Sequence, residues 1–316
     1  MTRVLSTRAE YGRTLVRLGE RSRDLMVLDA DLSGSTGTAA FAKRFPNRFF
    51  NMGISEQDLM CTAAGMSLAG KIPFVSSFAI FATGRCWEQI RNAIALPGCN
   101  VNIVATHAGI TVGKDGASHQ GLEDIAVMRA IPTMTVIVPA DAVATRKAVE
   151  AAAWFDAPVY IRLTREELPV IYSDEQPFRI GAGTQIRAGE DVTIFAVGLM
   201  LHQALEAADR LSEENISARV VDPATVKPVD EYLVTQCARE TGCVVTAEEH
   251  NVCGGLGDAV GEVLLRRYPV PMERVAVQDS FGRSGDPADL LEYFDLTPAA
   301  IVLATKRAVA RKRGLS

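Results

Sequence analysis

Apolar runs of strand length alternate with helix-period segments along the whole chain. The runs DLMVLDA (24–30), IPFVSSF (72–78), VNIVATH (101–107), MTVIVPA (134–140) and PVYIRLT (158–164) predict five strands. Helical patterns fall around 7–22, 36–45, 55–70, 79–95, 122–130 and 141–154. A second series follows: DVTIFAVG (191–198), SARVVDPATV (217–226), CVVTAEEH (243–250) and ERVAVQ (273–278), again with helices between. Continuous apolar strands separated by helices indicate parallel sheets covered on both faces. The predicted fold class is therefore α/β, with two doubly wound domains and mainly parallel sheets. The boundary is expected in ELPVIYSDEQPFRIGAGTQIRAGE (167–190), which carries two prolines, three interior glycines and mixed charge. That gives a first domain over 1–172, a linker over 173–189 and a second domain over 190–316.

In open α/β sheets, ligands bind beyond the carboxyl ends of the strands. Asp29 and Asp31 end the first predicted strand, and Ser76, Ser77 and Phe78 end the second. His107 and a glycine-rich loop end the third, and Arg162 and Arg165 end the fifth. Four strands thus deliver polar or aromatic groups to one edge. In the second domain only EEHNVCGGLGD runs from a strand end into a Gly-rich helix start, either an anion turn or a plain tight turn.

Composition narrows the classes. The 316 residues are 48% hydrophobic and 22% charged, with a formal net charge of −5. That is an ordinary core-forming composition, and it disfavours nucleic acid as a partner. The one basic cluster, KRAVARKRG, reads as a solvated helix end. Six cysteines are scattered without a Cys-x-x-Cys pair and read as buried free thiols. The start lacks a signal-peptide pattern, and no apolar run approaches the roughly 20 residues that span a bilayer. A reduced, cytoplasmic protein away from membranes is expected.

Three stretches carry candidate chemistry. GKDGASHQG (113–121) sets a lysine, an aspartate and a histidine among three glycines just after His107, and the chain has only four histidines. It is a surface turn or a polar site at the sheet edge. NMGISEQDLMCTAAGMSLAG (51–70) holds a helix start, with Ser55 as N-cap and Asp58 completing a capping box. Glu56 then sits in the first turn, where the helix dipole favours an acid. The rest of that helix is almost all apolar or small, so it is buried in a core or against a partner. Burial favours the neutral acid and the dipole the carboxylate, and burial must win if Glu56 is to carry a proton near neutrality. Phe78 and Phe81, three residues apart at a strand-to-helix junction, are core residues or a slot for a flat ring.

Taken together, these blocks resemble the carboxyl-terminal half of transketolase, and more closely the C-terminal subunit of a split transketolase, over essentially the whole chain. The resemblance implies a pyrimidine-binding domain followed by the family's C-terminal domain. GISEQ resembles the segment with the catalytic glutamate, which puts that role on Glu56. SSFAIF resembles the segment enclosing the aminopyrimidine of thiamine diphosphate, putting it on Phe78 and Phe81, with Asp31 as a further cofactor-binding residue. THAGITVGKDGASHQG resembles the substrate loop, implying His107, Asp115 and His119, the two histidines also serving catalysis. STRAEYG and RLTREEL resemble segments with phosphate-binding arginines, here Arg8 and Arg165. The residue types suit the implied chemistry. A carboxyl can exchange a proton with the pyrimidine ring nitrogen, and imidazoles can relay protons near neutrality. Guanidinium matches phosphate.

The family's Gly-Asp-Gly segment, which holds Mg²⁺ and the diphosphate, is absent from the 316 residues. The resemblance thus implies a separate N-terminal subunit holding that end of the cofactor, an α2β2 assembly, sugar phosphates as substrates, and no metal ligand on this chain. Two departures stand out: Ala117-Ser118 replaces the usual Pro-Thr, and Gly84, with Arg85 beside it, stands where a pocket aromatic is expected. The β subunit of a 2-oxoacid dehydrogenase and a non-catalytic regulatory subunit on the same fold are the competing readings.

Overall fold

The computed structural model describes residues 3–314. Among the described residues fourteen strands follow in chain order: β1 Val4–Ser6, β2 Leu25–Asp29, β3 Phe49–Asn51, β4 Ile72–Phe78, β5 Asn102–Thr106, β6 Thr135–Ile137, β7 Val159–Arg162, β8 Glu167–Pro169, β9 Thr184–Arg187, β10 Val192–Ala196, β11 Ala218–Asp222, β12 Thr225–Lys227, β13 Val244–Asn251 and β14 Met272–Val277. They form a seven-stranded sheet, order β12-β6-β7-β5-β4-β2-β3, a five-stranded sheet, order β14-β13-β10-β11-β9, and a small β1–β8 ribbon. Neighbours pair in parallel except at β12, at β9 and in the ribbon. The two-sheet, mainly parallel α/β architecture matches the apolar-run pattern.

The short edge strands β1, β3, β8 and β9 are the ones the pattern does not announce. Each has three or four residues, too few to show a period. β9 lies inside the stretch 173–189, so the second sheet begins there, antiparallel to β11. The run 217–226 is two strands rather than one. Pro223 lacks an N–H and Ala224 takes φ +50°, so the chain leaves the second sheet at Asp222 and β12 adds to the first, beside β6. The domains are therefore stitched by a strand as well as packed. Side chains from both line common cores, Leu28 and Val136 with Phe195, Val221 and Leu256 in one cluster, and Ile110 and Leu122 with Val245 and Val277 in another.

The expected continuous helix over 79–95 is broken. Helix Ala79–Gly84 ends at Arg85, a short turn covers Trp87–Gln89, and wide π-type turns run over Ile90–Ala95. The break presents Arg85 to the sheet edge. Four cysteines are buried as expected, but Cys61 and Cys253 are exposed. Among the described residues no helix is long and apolar enough to cross a membrane.

Candidate active site

Helix Glu56–Leu68 starts just after β3, at the carboxyl edge of the large sheet. Ser55 occupies the N-cap position, but its side chain makes no capping bond, so the expected capping box does not form. Glu56, 4% exposed, faces inward. Its carboxylate accepts from Ser77 Oγ at 3.3 Å and from Arg85 Nη1 at 2.9 and 3.0 Å to its two oxygens. The helix is buried on one side only, through Leu59, Met60, Ala63 and Ala64, while Cys61 and Gly65 are exposed and Leu68 is 73% exposed. Of the two expected settings, core or partner, the apolar remainder of this helix has the core on one face and an uncovered face on the other.

Phe78 ends β4, and Phe81 follows one helical turn later because the strand runs straight into helix Ala79–Gly84. Their rings stack at 5.9 Å and 19°. His107, directly after β5, stacks on Phe78 at 3.9 Å, and His119 meets Phe81 edge-on at 5.2 Å. Two phenylalanines and two histidines thus form one aromatic box beside Glu56. A cleft of about 400 Å³ opens there, lined by Ile54, Ser55, Glu56, Gln57 and Arg85.

His107 is 4% exposed, takes φ +55°, and shares a 2.9 Å hydrogen bond between Nδ1 and Thr106 Oγ1. A positive φ on a non-glycine residue at a strand end is strain held in place by its surroundings. Burial, followed by the nearby Arg8, Arg165 and His119, pushes its pKa down to about 3. His107 is therefore a neutral hydrogen-bonding group at working pH, which corrects the expectation that it switches charge near neutrality.

The arginines lie on one side of the box. Arg8 sits in the first turn of helix Thr7–Arg21, capped by Ser6, and donates to the backbone oxygens of Ser35 at 2.6 Å and Arg165 at 3.0 Å. Its Nε is buried without a partner, and desolvation, then Arg165, lowers its pKa. Arg165 donates to Val112 O at 2.6 Å and lies 3.3 Å from the Asp115 carboxylate. Its ion pair is with Asp115 rather than with the neighbouring Glu166 or Glu167. Arg162 does not reach the edge: at 6% exposure it is buried in a 2.8 Å pair with Asp124 and donates to Glu249 O. Asp31 is exposed and held by Asn51 Nδ2 at 2.9 Å, while Asp29 is the buried organiser of its loop, accepting from Leu32 N, Thr36 Oγ1 and Thr38 Oγ1. Burial raises the Asp29 pKa against those three donors.

The loop 107–121 leans on the second domain. Glu249 accepts from both Thr111 N and Thr111 Oγ1 at 2.7 Å, and burial raises its pKa. Gly109, at φ +82°, sits so close to that carboxylate that any β-carbon would clash with it. Gln120 Nε2 ties Ile110 O to Arg283 O across the domains. Neither Glu249 nor Gln120 stands out in the sequence. The pair of acids inside an otherwise apolar strand, TAEEHN, was the available signal. Its partner Glu248 accepts from Leu256 N and Gly257 N, so the Gly-rich turn at 253–257 is capped by the chain's own carboxylate and is a tight turn, not an anion site.

The geometry has clear counterparts among known proteins. The transketolase pyrimidine binding domain matches residues 3–170 and the transketolase C-terminal domain matches 181–301. A Methanocaldococcus jannaschii protein, named provisionally as a transketolase C-terminal section, is 50% identical over 297 residues, covering 93% of each chain. A 6-deoxy-6-sulfo-D-fructose transketolase subunit of a Clostridium species is 40% identical over 305 residues, covering 96% of this chain and 95% of that one. A solved structure described as a split gene transketolase, inactive β4 tetramer, is 54% identical with a TM-score of 0.92, covering 98% of this chain and 100% of that one. Against the transketolase of Rattus norvegicus, the chain spans only 49% of that protein's length. With both domain matches in sequence and full-length agreement with split relatives, this chain belongs to the transketolase family as a C-terminal section.

Proposed function

We propose that this chain is the C-terminal subunit of a two-subunit, thiamine-diphosphate-dependent transketolase that transfers a two-carbon ketol unit between sugar phosphates. The reading rests on one observation: the Glu56 carboxylate and the face of Phe81 converge on a single flat group. In this structure that group is the Arg85 guanidinium, 3.9 Å from the Phe81 centroid and bonded to Glu56. A planar unit with in-plane N–H donors therefore fits the slot, which is what an aminopyrimidine ring is. When bound, the cofactor supplies a nucleophilic carbon. Glu56 exchanges a proton with the pyrimidine ring nitrogen, Phe78 and Phe81 hold the ring flat and exclude water, and Asp31 borders the same edge. Neutral His107, with His119, hydrogen-bonds the substrate oxygens, and Asp115 accepts from a hydroxyl. Arg8 and Arg165 receive the terminal anion, which the unpartnered Arg8 Nε and the mutual repulsion of the two guanidiniums favour.

The division into a pyrimidine-end domain over 1–172, a connecting segment over 173–189 and a C-terminal domain over 190–316 belongs to the same reading. Mg²⁺ and the diphosphate fall to an N-terminal partner subunit in an α2β2 assembly within a reducing cytoplasm. The open cleft, with Ile54 77% exposed at its rim, and the exposed Leu68 support a partner covering that face. So does the relative described as an inactive β4 tetramer. The test is reconstitution. This chain alone, given thiamine diphosphate and Mg²⁺, should transfer no ketol unit, and addition of the N-terminal subunit should restore transfer. Full activity without the partner overturns the proposal.

A further inference from the structure

Arg85 occupies the place the preceding reading gives to the cofactor's ring. Its guanidinium lies 3.9 Å from the Phe81 ring centroid and donates through Nη1 to both Glu56 oxygens, at 2.9 and 3.0 Å. Two flat groups cannot share one ring face and one carboxylate edge. Arg85 is also built to move. Its side chain is 46% exposed along the open cleft, and among the described residues its guanidinium hydrogen-bonds only to Glu56. Its backbone is fixed independently, because Gln57 Nε2 donates to Arg85 O at 3.0 Å, and it follows the helix break at Gly84. The side chain can therefore swing while the main chain stays.

We propose that Arg85 is a resident stand-in for the aminopyrimidine, filling the slot until the cofactor displaces it. This rests on reading Glu56 and Phe81 as the pyrimidine-binding pair. The stand-in has a physical purpose. Glu56 is 4% exposed, and a buried carboxylate left without a partner is strongly destabilising. Arg85 pairs with it while the slot lacks its ring and gives it up when the ring arrives. The consequence is a lowered apparent affinity, because only the fraction of molecules with Arg85 swung out is competent to bind.

The experiment uses the assembled two-subunit protein and calorimetric titration. Arg85→Ala, and Arg85→Met with its stem retained, should each lower the Kd for Mg²⁺-thiamine diphosphate by roughly 5- to 50-fold, the range for surrendering a charge-assisted contact that is exposed on the arginine side and buried on the carboxylate side. The Kd for Mg²⁺-pyrophosphate should not move, since that probe engages only the diphosphate end. Phe81→Ala should weaken thiamine diphosphate binding. Unchanged or weaker binding in both Arg85 variants, with Phe81→Ala still weakening it, would overturn the stand-in and leave the pyrimidine site intact. Equal tightening of pyrophosphate would also overturn it, by showing a general effect of assembly. If neither Phe81→Ala nor Glu56→Gln alters cofactor affinity, the underlying site reading fails and the stand-in with it.

Discussion

Arg165→Ala separates anion recognition from loop support, and the structure sets the two magnitudes apart. As a loop tether, Arg165 offers a hydrogen bond to Val112 O at 2.6 Å, whose loss would fall on both donors alike, and a 3.3 Å pair with Asp115 in which the side chains are 42% and 43% exposed. Such a half-exposed pair is worth at most about 1 kcal/mol, or roughly 5-fold. As an anion ligand it would contribute a charge-assisted contact of about 1.5–3 kcal/mol, or roughly 10- to 150-fold in KM. The assay compares a phosphorylated ketose with hydroxypyruvate, which has no distal anion, in the reconstituted enzyme. The expected result is a KM rise of roughly 10- to 150-fold for the ketose phosphate and little change for hydroxypyruvate. Asp115→Asn removes a hydroxyl acceptor and not the anion ligand, so its effect should not depend on whether the ketose is phosphorylated. Equal losses for both donors would refute the anion role and leave Arg165 a loop tether. Turnover of pyruvate with a lipoyl acceptor, and of no ketose, would transfer the chain to the 2-oxoacid dehydrogenase reading.

Glu56→Gln should keep the assembly but slow proton exchange at the cofactor's reactive carbon by roughly 100- to 10,000-fold, because an amide can hydrogen-bond but not exchange the proton. Exchange followed by NMR checks it, and a wild-type rate would leave Glu56 only a first-turn helix acid. Burial raises the Asp222 pKa from 3.8 to about 7, against hydrogen bonds from Tyr172 and Ala224. The folded state thus holds the extra proton, so the stability this group contributes is full below 3.8 and is lost as pH rises through about 7. That shift corresponds to on the order of 4 kcal/mol. Asp222→Asn should flatten denaturant-measured stability across that window, and an unchanged slope would refute the assignment.

The fold was legible because its central strands are buried on both faces and read as unbroken apolar runs. The edge strands and the Pro223–Ala224 sheet switch were not, since three-residue segments carry no period and only packing tells which sheet a strand joins. Site residues were legible where they end a long strand, as Phe78 and His107 do. Contacts made across the fold were not. GISEQ places an acid at a helix start, but nothing in it says that Arg85, 29 residues on, lies against that acid. Likewise LTREEL offers Arg165 two adjacent glutamates, yet the loop brings Asp115 to it from 50 residues away. Charge alone could not separate Arg162 from Arg165, which differ by burial and hence by role.

The second domain contributes no residue to the aromatic box, yet the box depends on it. The loop from His107 to Gly121 contains short 3-10 turns at Ile110–Asp115 and is closed at its base by Gly109 N donating to Gly121 O. Arg165 holds it from the same domain through Val112 O, and further ties come from across the domain boundary. Glu249 anchors Thr111, and Gln120 is tied to Arg283. Beneath the loop Arg162, paired with Asp124, donates to Gly121 O and Glu249 O, binding both domains to one guanidinium. His107 holds a positive φ, and such strain persists only where the surroundings over-determine it. The C-terminal domain adds to that determination only through the loop that follows, at Thr111 and Gln120. β12 then prevents the domains from separating, because a strand of the second completes the sheet of the first. A subunit carrying only the pyrimidine-end domain would keep Glu56, Phe78, Phe81 and the contacts of His107, but lose the ties at Thr111 and Gln120 that steady the loop carrying His119.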